Sequence, residues 1–210
     1  MGSHNPFATL LEALLIGSLV LSGCANRELI ETPNLYLSGG LDPFGNCPPE
    51  FQNNEVDILY ATDRLPTERK GGGLEYGFHR SRSLAFGQCV VEIGKDVPWP
   101  QLVENSLSEK RELSLPLSIQ RISELGRFPE TPIPFMSQGN QLVDDPAIMA
   151  EKERVSQSFR AEVARRLSLT QEKEAFLFIH GYNNAFDHSI FVMTDLWHFM
   201  GRKGIPVVYS

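Results

Sequence analysis

Between Ala175 and Tyr209 the chain changes character in a way that leaves few folds open. "AFLFI" is an uncharged apolar run of strand length, and it stops at "HGYNN", a cluster of turn formers. Phe186, Ile190, Met193, Trp197 and Met200 then recur at spacings of four, three, four and three, the period of a helix with one buried face. Gly201 suits the end of that helix, and Arg202 and Lys203 suit the negative end of its dipole. "IPVVY" then starts another apolar run. Strand, helix and strand joined by short links make a parallel crossover. The lack of polar alternation in "AFLFI" predicts a strand covered on both faces.

Upstream, Asp145-Pro146 reads as an N-cap followed by proline at the first helical position. Val155, Phe159, Val163 and Leu167 fall four apart, one apolar stripe on a charged helix and a surface for core packing. "EVDILYAT", Glu55–Thr62, predicts a strand, with "DRLPTERKGGG" a loop after it. Ser83–Ile93 predicts a second strand with a bulge at Gly87. Arg111–Ile122 contains Pro116 and predicts an edge strand; "GRFPETPIPFMSQGN" predicts loop. The chain is therefore expected to be α/β, a mostly parallel sheet with flanking helices over residues 55–210.

The N-terminus reads differently. "ALLIGSLVL", Ala13–Leu21, has the length of a signal-peptide core and is short for a membrane span. It runs into "LSGC", the bacterial lipobox pattern, whose cysteine is acylated after cleavage before it. Residues 1–23 are expected to be a lipoprotein signal peptide, Cys24 the lipidation site, and 24–54 a tether with irregular structure. Ala25 rather than aspartate after the cysteine points to the periplasmic side of the outer membrane. The alternative is a buried N-terminal helix with an unrelated cysteine. With Cys24 lipidated, Cys47 and Cys89 remain, and an exported chain suits a disulfide between them. Chain entropy would give that bridge about 3–4 kcal/mol; two unrelated thiols are the other reading.

A net charge of −7, from 19 Lys+Arg and 26 Asp+Glu, comes with no basic cluster. Counterion-release binding to nucleic acid needs one, so that partner class is excluded. His180, His188 and His198 lack metal-ligand spacing, and no metal or cofactor is implied. Asp187, His188 and Ser189 spell a triad in order, but successive helical residues point about 100° apart and do not converge. Asp195 and His198, three apart, are expected to form a surface pair.

"ILYATDR", "YGFHRSRSLAFGQCVVEIG" and "FIHGYNN" together resemble a family of bacterial α/β-hydrolase-fold proteins of unassigned function. The resemblance runs from about Glu55 to Ser210 and is strongest at Tyr60–Arg64 and Phe178–Asn184. It implies the N-terminal portion of an α/β-hydrolase-type sheet, with function at the C-terminal ends of the strands. It also implies an oxyanion turn at His180, Gly181 and Tyr182: Gly181 gives the turn, the backbone N–H of Tyr182 is the donor, and His180 and Asn183 brace the loop. The activity implied is serine hydrolysis of esters or related acyl substrates by a lipid-anchored envelope protein.

No Gly-x-Ser-x-Gly elbow occurs in the 210 residues. The chain is therefore expected to be the front part of a longer hydrolase or a truncated product, inactive alone, with Ser210 not the nucleophile. Whether the chain acts as an enzyme stays open. A non-catalytic envelope lipoprotein, using the fold as a binding or structural module, is the alternative; assembly with a second chain supplying the missing strands is a third.

Overall fold

The computed structural model describes residues 27–38 and 40–210, and no helix among them is long and apolar enough to cross a membrane. The expected signal peptide, Cys24 and the first residues of the tether lie outside the described residues. Five strands form one sheet in the order β3-β2-β1-β7-β6. They are β1 (Glu55–Glu68), β2 (Leu74–Ile93), β3 (Leu117–Arg127), β6 (Ala175–Ile179) and β7 (Ile205–Tyr209), and a separate hairpin joins β4 (Phe135–Gln138) to β5 (Gln141–Asp144). The β1–β2 and β2–β3 ladders are antiparallel, whereas β1–β7 and β6–β7 are parallel. Only β2 therefore runs against the rest of the sheet, and the fold is α/β and of hydrolase type.

Helices α1 (Asn34–Leu37), α2 (Trp99–Leu107), α3 (Pro146–Ser168) and α4 (Phe186–Phe199) flank the sheet. The apolar face predicted for α4 is buried: Phe186, Ile190, Met193 and Trp197 pack against Ile58 and Tyr60 of β1, Cys89 and Val91 of β2 and Val208 of β7. Full burial of side chains this large contributes about 1.5–3 kcal/mol each. Gly201 ends the helix at φ 78°, and a Cβ there would collide with the Pro43 carbonyl. The opposite face is covered by α3 only over the antiparallel half, where Val155 is buried and Phe159 meets Phe86 edge-on at 5.2 Å. Asp145 caps α3 by accepting the Ala147 N–H at 2.8 Å.

Several expectations are corrected. Residues 63–68 are not loop: β1 continues to Glu68 through two register shifts around Arg64, and only Arg69–Gly73 turns. The bulges absorb the polar residues that ended the apolar pattern. Helix α2 and the β4–β5 hairpin were not foreseen, their segments being short. Gly87 does sit at a shift in the β2–β3 ladder, and β3 is an edge strand beginning just after Pro116. β6 is not covered on both faces. Among the described residues it is the other edge, with Leu177 59% and Ile179 63% exposed.

Residues 27–54 are irregular but not a slack tether. Arg27 pairs with Asp195 at 3.0 Å, Leu29 is buried, and Tyr36 donates to the Phe199 carbonyl at 2.5 Å. Cys47 and Cys89 are free, buried thiols rather than a disulfide. β2 turns Cys89 into the core beneath α4, while Cys47 lies in the loop beside Arg202. Burial raises both thiol pKa values, which makes them poor nucleophiles. Guanidinium groups fasten the N-terminal segment instead. Arg111 Nη1 donates to Leu29 O at 2.6 Å, and Arg202 Nη1 to the carbonyls of Phe51 at 2.6 Å and Asn53 at 2.8 Å. Arg202 is thus no surface cation at a helix end: it is buried, between the rings of Trp99 and Trp197.

Asp195 and His198 are likewise buried and do not pair with each other. His198 lies 2.8 Å from Ser106 Oγ through Nε2 and receives Arg202 Nε at 3.2 Å on Nδ1. A guanidinium only donates, so Nδ1 accepts and Nε2 carries the hydrogen toward Ser106. That polarity is the reverse of a base that activates a serine. Burial, then the charges of Arg202 and Arg111, hold the imidazole pKa well below its ordinary value. The unfolded chain takes up a proton on this residue near pH 6.5, about 1.4 kcal/mol per pH unit of linkage, while the folded chain does not. Stability is therefore full above that pH and declines as pH falls toward the folded pKa. Urea unfolding between about pH 7.5 and 5.5 should show this slope in the wild type and lose it in His198→Gln; parallel pH profiles would assign the slope elsewhere.

Candidate functional site at the strand ends

β1, β7 and β6 all deliver their C-terminal ends to one side of the sheet. β6 stops at Ile179, and His180–Ala185 crosses to the N-terminus of α4. The residue that takes the left-handed conformation in this turn is Asn183, at φ 58°, a residue type that tolerates it. Gly181 is not at positive φ, and a Cβ on it would meet only Asn184 Nδ2, at 3.9 Å. The turn itself thus does not require glycine at 181, a correction to the role expected there. What the missing side chain leaves is open space beside the turn.

Tyr182 is fully exposed at 101%, so its side chain is held by nothing. Its backbone N–H meets no acceptor among the described residues. His180 Nδ1 lies 2.6 Å from the Gly181 carbonyl and ties the ring to the turn. Asp187, His188 and Ser189 point apart: Asp187 is half-buried with its pKa raised by burial, His188 Nδ1 lies 3.1 Å from Arg27 Nη1, and the buried Ser189 donates to Ala185 O at 3.2 Å.

The residue that organises this end of the sheet is Arg64, which sequence reasoning quoted in "ILYATDR" without a role. It is 1% exposed. Nε donates to Ser210 Oγ at 3.1 Å, Nη1 to Gly77 O at 2.7 Å and Nη2 to Asn184 O at 2.6 Å, so one guanidinium joins β1, β2, β7 and the β6–α4 turn. Thr62 completes the set by accepting the Arg64 N–H at 3.1 Å and donating to Ser210 O at 2.5 Å. Ser210 N–H closes the corner onto Ala61 O at 3.0 Å. Burial lowers the Arg64 pKa, the nearby Arg80 acting the same way and Asp63 against it, yet a guanidinium stays charged. Asp63 is engaged with Arg80 instead. The sequence signals for Arg64 were its place at the end of a strand run and inside "ILYATDR", one of the segments that carry the resemblance.

A buried cation and the positive end of α4 lie beside this turn, and among the described residues no carboxylate is bonded to Arg64. Such an arrangement stabilises negative charge that develops on an oxygen near the turn. Among the described residues no group of three or more His, Cys, Asp or Glu is placed to hold a metal ion.

Residues 155–210, from mid-α3 through β6, the turn, α4 and β7, match the family described as alpha/beta hydrolase of unknown function (DUF900). The turn lies inside that match. "ILYATDR" and the strands before α3 lie outside it, so the resemblance read from Glu55 onward is supported over its last part. No curated protein and no solved structure matches the chain.

Arg64→Met would leave the Gly77 and Asn184 carbonyls without their donor. Both residues are half-buried, so water can replace part of what is lost, and the variant should lose about 1–2 kcal/mol in urea unfolding. An unchanged midpoint would remove Arg64 from its place as the tie.

Proposed function

We propose that the protein is a lipid-anchored hydrolase of the bacterial cell envelope, acting on esters or related acyl substrates. In this reading the turn after β6 supplies the oxyanion donor through the Tyr182 N–H. Gly181 keeps the approach open, His180 braces the turn, and Arg64 fixes the turn against β1 and β7. The observation that carries it is the unengaged N–H of an exposed turn at the C-terminal strand ends, inside the segment that matches an alpha/beta hydrolase family. The nucleophile and base are not assigned to any residue among 27–210. Ester turnover is to be measured on the protein isolated from its own membranes. Tyr182→Pro removes the N–H and should lower kcat about 100–1,000-fold, the usual cost of one oxyanion donor. Tyr182→Ala keeps the N–H and should stay near wild type. Equal effects of the two, or no turnover by the wild type, would overturn the reading.

The anchor belongs to the same proposal: Cys24 carries the lipid and places the domain on the periplasmic side of the outer membrane. It rests on "LSGC" after an apolar core of signal length. Cys24→Ser should leave the chain uncut and unlabelled by radioactive palmitate; equal labelling of wild type and variant would refute the anchor.

A further inference from the structure

The residues after the expected lipidation site leave little slack. Two residues, Ala25 and Asn26, stand between Cys24 and Arg27, and Arg27 is already fastened to the domain. Its Nη2 meets the Asp195 carboxylate at 3.0 Å, and its carbonyl accepts the Leu117 N–H at 2.6 Å. Glu28 bridges to Pro116, and Leu29 is buried with its N–H on Leu115 O at 2.9 Å. The Thr32 hydroxyl reaches the carbonyls of Ser106 at 3.0 Å and Ser108 at 2.7 Å. Three peptide units span about 11 Å when fully extended. An acylated Cys24 therefore holds this flank of the domain close to the headgroup layer. The limit is covalent and holds whatever else the polypeptide contains.

We infer that residues 30–41 are a membrane-seating face, resting in the interface of the bilayer that takes the Cys24 lipid. This rests on the anchor proposed above. The segment is apolar on both of its sides. Inward it turns Leu29, which is buried, and Tyr36, which stacks on Phe199 and donates to that residue's carbonyl. Outward it leaves Ile30, Leu35, Leu37 and Leu41 exposed. Leu35 and Leu37 flank Tyr36 in α1, and helix neighbours point about 100° to either side. The ring that docks between them thus turns both leucines away from the domain. Four large aliphatic side chains exposed in one short stretch mark a contact surface rather than a linker.

Charge decides which part of the bilayer the face meets. Residues 27–54 carry one cation, Arg27, against Glu28, Glu31, Asp42 and Glu50, and Arg27 is paired with Asp195. Attraction to anionic headgroups needs free Lys or Arg. The contact is therefore apolar, and aliphatic side chains beside a lipid anchor add to its hold. The seat also orients the domain. Arg27 Nη1 lies 3.1 Å from His188 Nδ1 in the first turn of α4, the helix whose N-terminus receives the His180–Ala185 turn. The turn is thereby kept at a fixed height over the membrane instead of swinging on a tether. Another segment of the polypeptide laid over the face is the competing occupant, and a quencher carried by the lipid separates the two.

The test uses the acylated protein in phosphatidylcholine vesicles containing spin-labelled phosphatidylcholine. An environment-sensitive fluorophore is placed on Leu35→Cys and, as reference, on Glu153→Cys, an exposed position of α3 across the sheet. Cys47 and Cys89 are buried in both proteins. Emission from position 35 should be blue-shifted and quenched several-fold more than emission from position 153, and Leu37→Cys should repeat the result. Added phosphatidylglycerol or salt should leave the quenching unchanged; a need for phosphatidylglycerol would overturn the apolar contact. If palmitate labels the protein but positions 35 and 37 are quenched no more than position 153, the seat is overturned and the anchor stands, an outcome that includes a face covered by another segment. If palmitate does not label the protein, the anchor falls and the seat with it.

Discussion

The packing of α4 onto the sheet is the contact on which the other arrangements rest. Its buried face touches β1, β2, β6 and β7, and the apolar area it removes from water is the main driving term at this end of the molecule. Because the crossover from β6 is short, the strand that follows α4 has to return beside β6. It enters between β6 and β1. That insertion brings Ser210 to Thr62 and Arg64, turns β6 into an edge, and aligns three strand ends on one side. The turn, the buried arginine and the exposed edge are consequences of one packing choice.

Arginine does the work in this structure that a disulfide was expected to do. Arg202, Arg111 and Arg64 are each directed at backbone carbonyls distant in sequence, and a planar group with five donors can join several segments at once. Such ties are directional, and each depends on its partners staying in place, since a buried guanidinium left without acceptors is costly. Among the described residues Arg202 Nη2 lacks a partner, with two tryptophan rings nearby that suit a cation. The His198–Ser106 contact belongs to this network. It shows how a serine and a histidine at hydrogen-bond distance form a structural pair when the third group is a donor.

Much of the fold was legible because hydrophobic period reports which side of an element is buried. The stripe of α4, the Asp145 cap, the crossover, the bulge at Gly87 and the edge character imposed by Pro116 all follow from local chemistry. What the period does not report is which neighbour does the burying. "AFLFI" is equally apolar whether it lies in mid-sheet or at an edge, and so its exposure was misread. Arg202 next to a helix C-terminus satisfies the dipole rule equally well from outside or inside. The site was legible as "HGYNN" after a strand; its organiser was not, because Arg64 and Ser210 are 146 positions apart and nothing local to "ILYATDR" shows that its arginine turns inward.

The sequence by itself determined the α/β character, the helix faces, the crossover and the place of the turn at a strand end, since each depends on residues within a few turns of one another. The tertiary structure alone decided the strand order, the free state of Cys47 and Cys89, the inward turn of Arg64, Arg202 and His198, and the exposure of β6. Those outcomes depend on contacts between segments far apart in the chain, where burial of a polar group is permitted only when distant backbone happens to supply its hydrogen bonds.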